Sequence, residues 1–111
     1  MKNNFYTYIY LDPRKPGNYI YGDFVFDYEP IYVGKGRGYR LYDHLTECNN
    51  VNRDGYNTFK YKKMRKILNG GYKFSDETMI KIEDNLTEYK SSKLEVWMIW
   101  IIGRMILNWD H

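Results

Sequence analysis

"PIYVGKGRGYRLYDHL", residues 30–45, decides how this chain is read. Ile31, Tyr32 and Val33 make a strand-like triplet, and Gly34, Gly36 and Gly38 follow at every second position. Beyond them, Leu41 and Leu45 recur at i, i+4 within "YRLYDHLTE" (39–47), the spacing of a short helix. Arg40 and His44 share a neighbouring face of that helix, one turn apart. The glycines read as a strand-to-helix turn whose amides, with Lys35 and Arg37, approach a phosphate closely. A plain turn is the alternative, and glycines alone favour it. Nucleotide cofactors are excluded by spacing: a dinucleotide fold needs G-x-G-x-x-G, and a P-loop needs Ser or Thr after its Gly-Lys.

Working outward, "FYTYIYL" (5–11) alternates Tyr6, Tyr8 and Tyr10 with Phe5, Thr7 and Ile9, so it reads as a strand with three tyrosines on one face. "DPRKPGN" (12–18) is expected to end it in a loop. "YIYGDFVFDYEP" (19–30) suggests a hairpin about Gly22-Asp23, and 31–33 a second strand. "NTFKYKKMRKILN" (57–69) spaces Phe59, Met64, Ile67 and Leu68 as a helical stripe, with Asn57 as N-cap and Gly70-Gly71 as the stop. "ETMIKIED" (77–84) reads as a third strand. Residues 88–102 form the longest helix, opened by Thr87 and closed by Gly103.

Within that helix Glu95 stands among apolar neighbours, Val96, Met98, Ile99 and Ile102. A carboxylate there costs several kcal/mol to bury unless a cation meets it. Either the helix leaves it a polar slot, or it meets a cation, an Arg or Lys in a salt bridge or a metal ion. A single carboxylate suits Mg²⁺ or Mn²⁺, which keep waters and complete their shell with substrate phosphate.

Composition narrows the function further. The chain has 111 residues, one cysteine, two histidines and thirteen tyrosines. One domain spanning 1–111 is expected. The lone Cys48 permits no internal disulfide and no zinc site of Cys/His type, and reads as a loop thiol in a reducing, cytoplasmic setting. The apolar run "LEVWMIWII" is too short for the roughly 20 residues that span a bilayer, so no membrane association is expected. Net charge is only +3, yet residues 35–73 hold ten Lys and Arg against three acids. Basic charge gathered in one third of the chain points to a polyanion, with a solvated basic face as the alternative.

These elements, in order, resemble the GIY-YIG nuclease superfamily. "YTY" (6–8) stands where the first triplet ends and "YVG" (32–34) stands for the second. Arg40, His44, Glu95 and Asn108 match the family's helix arginine, the residue one turn later, the glutamate of the last long helix and a final asparagine. "YIYLDPR" with "YVGKGRGYRLYDHL" is most similar to the phage-type and LEM-domain-type branches. The first triplet lacks its glycine, so its register falls on Tyr8 or on Tyr6, which shares its face; Tyr8 is preferred. Residues 9–31 separate the two tyrosines by an unusually long segment, expected as a loop excursion off the sheet edge.

The resemblance implies an α+β fold, a small three-stranded, mostly antiparallel sheet flanked by helices. No element reads as a dedicated base-reading module, so no separate DNA-binding domain is expected. It implies a metal-dependent endonuclease acting on double-stranded DNA through one Mg²⁺ or Mn²⁺ held by Glu95. In that reading Tyr8 and Tyr32 orient and deprotonate water, Arg40 neutralises phosphate charge, and Lys35 and His44 complete the catalytic set. An unperturbed phenol near pKa 10 is a poor base, so Lys35, Arg40 or the metal must favour its phenolate, or it only positions water. Arg37, Lys60, Lys62, Lys63, Lys66 and Asn108 are the expected DNA contacts. A monomer or weak dimer in a bacterial or phage-infected cell, akin to a cut-down homing endonuclease, is the expected setting. A structure-selective repair nuclease and a non-catalytic DNA-binding module are the competing readings.

Overall fold

The computed structural model describes residues 3–48 and 59–103. The expected N-cap Asn57, the expected DNA contact Asn108 and the side chain of Lys60 lie outside the described residues. Strand β1 (Phe5–Tyr21) occupies the middle of a three-stranded sheet, between β2 (Phe24–Arg37) and β3 (Met79–Leu86). Both pairings are antiparallel. Three helices complete the fold: α1 (Arg40–Glu47), α2 (Phe59–Asn69) and α3 (Glu88–Ile102). The expected α+β architecture is the observed one.

Alternation along β1 sorts its side chains onto two covered faces. Tyr6, Tyr8 and Tyr10 pack with Leu41 of α1 and with Tyr61, Met64 and Ile67 of α2. Ile9 and Leu11 point the other way and pack with Val33, Met98 and Ile102, which brings in α3. Every residue from Tyr6 to Asp12 is buried. Each buried tyrosine ring contributes roughly 2 kcal/mol by leaving water.

The segment 12–18 corrects the expectation of a loop: β1 runs through it to Tyr21 as one arm of a long ribbon. The two prolines do not end the strand because the ladder is irregular where they lie. Register shifts fall between Asp12 and Pro16 and between Pro16 and Tyr19. A missing N–H is tolerated at such places. The hairpin about Gly22-Asp23 is present as a two-residue turn, Tyr21 pairing with Phe24 and Gly22 holding φ at +62°. Glycine at that first central position is what a type II′ turn requires. The long spacing between the two triplets is thus a β-ribbon continuous with the sheet, and the expected strand at 31–33 is the middle of β2.

α3 begins and ends where its sequence signals stand. The Thr87 hydroxyl accepts from the Lys90 N–H at 3.1 Å, and Gly103 follows the last turn with φ +91°. Its sheet-facing stripe carries buried Ser91, Met98 and Ile102. The Thr7 hydroxyl donates to the Ser91 carbonyl at 2.8 Å and fastens helix to strand.

Asp12 is fully buried at the start of the ribbon. Its carboxylate accepts from the Arg14 N–H at 2.9 Å, Nε at 3.0 Å and Nη2 at 2.8 Å. Burial alone would raise the Asp12 carboxyl, but the Arg14 bonds and charge outweigh it and hold the pKa below its ordinary value. A depressed folded-state pKa means stability that is present at neutral pH and lost as pH falls through the carboxylate range. We expect Asp12→Asn to cost on the order of 2 kcal/mol, the lower side for a broken buried pair because Arg14 is partly exposed. Thermal melts at neutral and acid pH check this: wild type and Asp12→Asn should differ at pH 7 and converge at low pH.

Candidate active site

The register of β1 on β2 assembles the tyrosine face. Tyr6 lies opposite Gly36, Tyr8 opposite Gly34 and Tyr10 opposite Tyr32. Gly34 is a seat for an aromatic ring: a Cβ there would stand 2.6 Å from both Cζ and Oη of Tyr8. A Cβ on Gly36 would collide with Cβ and Cγ of Arg40. Only Gly38, with φ +60°, serves the turn into α1. The glycines therefore act by the room they leave for Tyr8 and Arg40. Gly34 and Gly36 belong to a paired strand, not to the expected flexible turn.

The three tyrosine hydroxyls have different partners. Tyr6 Oη donates to the Gly38 carbonyl at 2.7 Å and accepts from the Leu41 N–H at 2.8 Å, satisfying a group at the start of α1. Tyr10 Oη donates to the Leu41 carbonyl. Tyr8 Oη alone of the three meets a titratable side chain, His44 Nε2, at 2.5 Å. On the other edge of that imidazole, Nδ1 lies 3.3 Å from Tyr61 Oη. A neutral imidazole has one donor and one acceptor nitrogen, and two phenols satisfy both.

Although His44 shares a helix face with Arg40, it is fully buried. Tyr10 and Tyr61 pack around the ring, and Tyr32 closes it with centroids 5.0 Å apart. A helical turn separates His44 from Arg40, so the arginine reaches the surface while the histidine stays beneath. Arg40 Nη1 lies 3.9 Å from Asp43 Oδ2, a loose and exposed pairing. Tyr32 is partly exposed, whereas Tyr8 is buried under it, with ring centroids 6.2 Å apart.

Burial pushes the Tyr8 phenol far above its ordinary value, and the neighbouring Tyr32 adds to this against the opposing charge of Arg40. Arg40 acts in the expected direction, but burial overrides it. A standing Tyr8 phenolate is therefore disfavoured.

Lys35 and Glu95 belong to the opposite face. Lys35 pairs with Thr7, its Nζ lies 3.5 Å from Glu88 Oε2 of α3, and it stands with Arg37 over the Phe5 ring. Glu95 is partly buried, one turn beyond Ser91 on the sheet-facing side of α3. The fold does not bring all six expected catalytic residues onto one face. β2 is the sheet margin, however. Along that margin Tyr32 and Arg40 stand on one face, and Lys35, against Glu88 of α3, on the other.

Among the described residues no three His, Cys, Asp or Glu side chains gather as a metal cage. The donor set fits Mg²⁺ or Mn²⁺ only as an ion that takes one carboxylate and completes its shell with water and substrate oxygens. On α2, Lys62 and Lys66 are exposed and Lys63 is partly so. Tyr61 was missed by the sequence reading, although its position three before Met64 continues the buried stripe of α2.

The family model described as "LEM-3-like GIY-YIG domain" matches residues 5–108, and the chain belongs to this family. Membership implies a nuclease-type function and suggests DNA binding. No curated protein and no solved structure matches the chain. No helix among the described residues is long and apolar enough to cross a membrane.

Gly34→Ala should displace Tyr8, because the buried ring has no space into which to retreat. A cost of about 1–3 kcal/mol is expected from overpacking. Chemical denaturation measures it, and an unchanged midpoint would refute the seating of Tyr8 on Gly34.

Proposed function

We propose that this chain is a metal-dependent endonuclease that hydrolyses phosphodiester bonds of double-stranded DNA. The observation that carries the reading is the buried Tyr8–His44–Tyr61 hydrogen-bond chain directly under Tyr32 and Arg40 at the β2 margin. A buried histidine satisfied by two phenols has a packing role in many proteins. Here it stands behind the family's second triplet, where a proton acceptor is useful.

Tyr32, the accessible phenol, orients the attacking water. As the water attacks, its proton moves to the Tyr32 hydroxyl, Tyr32 passes its own proton to the Tyr8 hydroxyl, and Tyr8 donates in turn to Nε2 of His44, while the departing alkoxide takes a proton from solvent. The raised Tyr8 pKa is compatible with this route, since Tyr8 loses one proton as it gains another and never stands as a free phenolate. Nδ1–H of His44 donates to Tyr61, which keeps the imidazole oriented with Nε2 as acceptor. Arg40 faces the charge that develops on the phosphate, and Lys35 adds positive potential from the other side of β2. Glu95 would hold Mg²⁺ or Mn²⁺, which supplies charge stabilisation at the scissile phosphate. Arg37, Lys60, Lys62, Lys63, Lys66 and Asn108 are assigned to the DNA backbone. The buried, reduced Cys48 agrees with a cytoplasmic setting.

Supercoiled plasmid incubated with Mg²⁺ or with EDTA tests the proposal. Nicking should require the metal. Glu95→Gln should bind DNA and not nick, and Tyr8→Phe should slow nicking by about 10²–10⁴-fold, the range of general acid–base catalysis. Full cutting by Glu95→Gln would sink the metal assignment. Metal-independent binding without any nicking would favour the non-catalytic module, and preferential cutting of branched over linear duplexes would favour a repair nuclease.

A further inference from the structure

Beyond Asp12 the irregular part of β1 passes alongside α2, and the two border a cavity of about 320 Å³ lined, among the described residues, by Arg14, Lys62, Lys63 and Lys66. These four side chains are cations. The acid nearest in sequence, Asp12, is fully buried and already bonded to Arg14. That bond holds Arg14 in place while leaving donors over, because a guanidinium has five N–H groups and Asp12 engages only its Nε and Nη2. Burial lowers the Lys63 pKa and the nearby Lys15 lowers it further, against the opposing pull of Asp12 and Glu29. Like charges held this close repel, and an anion bound among them removes the cost.

We propose that this cleft is a second phosphate-binding subsite, which holds the sugar–phosphate backbone of the DNA flank away from the scissile bond. The inference rests on the nuclease reading above and extends it to a surface outside the candidate active site. Arg14 stands six residues beyond Tyr8 on the same strand. At about 3.3 Å per residue the two are at most about 20 Å apart, a span of about six base-pair steps. The ribbon is then one wall of the substrate path, and α2 is the other.

Fluorescence anisotropy of a labelled linear duplex, titrated over a range of salt concentrations, tests this. Each phosphate contact contributes about 0.9 to the slope of log K against log salt. Lys62→Ala/Lys66→Ala should therefore lower that slope by about 1 to 2 with an unchanged melting temperature. Lys90→Ala/Lys93→Ala, which removes equal charge from exposed positions on α3, should leave the slope as in wild type. An unchanged slope in the first variant overturns the subsite, as does an equal loss in both. Either result leaves the nuclease reading standing if wild type binds and nicks. Wild type that binds no duplex overturns that reading and the subsite with it.

Discussion

Three phenols on one face of a strand buried on both sides need hydrogen-bond partners, and the structure is arranged around meeting that need. A buried unpaired hydroxyl costs about 1–3 kcal/mol, so Tyr6, Tyr8 and Tyr10 restrict what can pack above them. Tyr6 and Tyr10 take backbone groups of Gly38 and Leu41, which fixes where α1 begins and how it sits on the sheet. Tyr8, between them, then meets the residue that lies one turn into the helix, His44. The interaction with chemical potential follows from two that are structural. Loss of either neighbour would shift α1 and with it the only imidazole in the described core.

The same strand pairing explains the spacing of the glycines. Strand period and helix start together bring Tyr8 across one glycine and Arg40 across the next, and neither position tolerates a Cβ. Two side chains that would otherwise be held off by the pleat come close to the β2 backbone. At this margin one face of β2 carries aromatic and guanidinium groups and the other carries α3. A substrate that engages both faces needs an edge of this kind, because the middle of the sheet is covered on each side.

Much of this was legible in the residues. The 3.6 period of α2, the Thr87 and Gly103 boundaries of α3 and the alternation of β1 are local signals, and local geometry obeys them. The region 12–18 was misread because prolines and a glycine ordinarily end a strand. What permits them here is a register shift, which depends on the partner strand and leaves no mark in the local pattern. The burial of His44 was equally hidden. Its helix shows Arg40 and His44 on one face, but whether that face meets water depends on Tyr61 arriving from α2. Glu95 stands out in the sequence as a carboxylate in an apolar helix, and in the fold it is partly buried. Which face of the sheet its helix covers is a matter of topology, and topology separates it from the tyrosines.

That separation bears on how the chemistry is divided. A carboxylate on the His44 side would add a negative charge beside Tyr8, whose phenolate burial already disfavours. Keeping Glu95 across the sheet leaves Arg40 as the charged group of the described core that favours deprotonation of Tyr8. In the proposed reaction, proton movement would belong to the face with tyrosines, imidazole and arginine, and cation binding to the face with α3. A phosphate reached from both would lie along β2, the edge strand of the sheet.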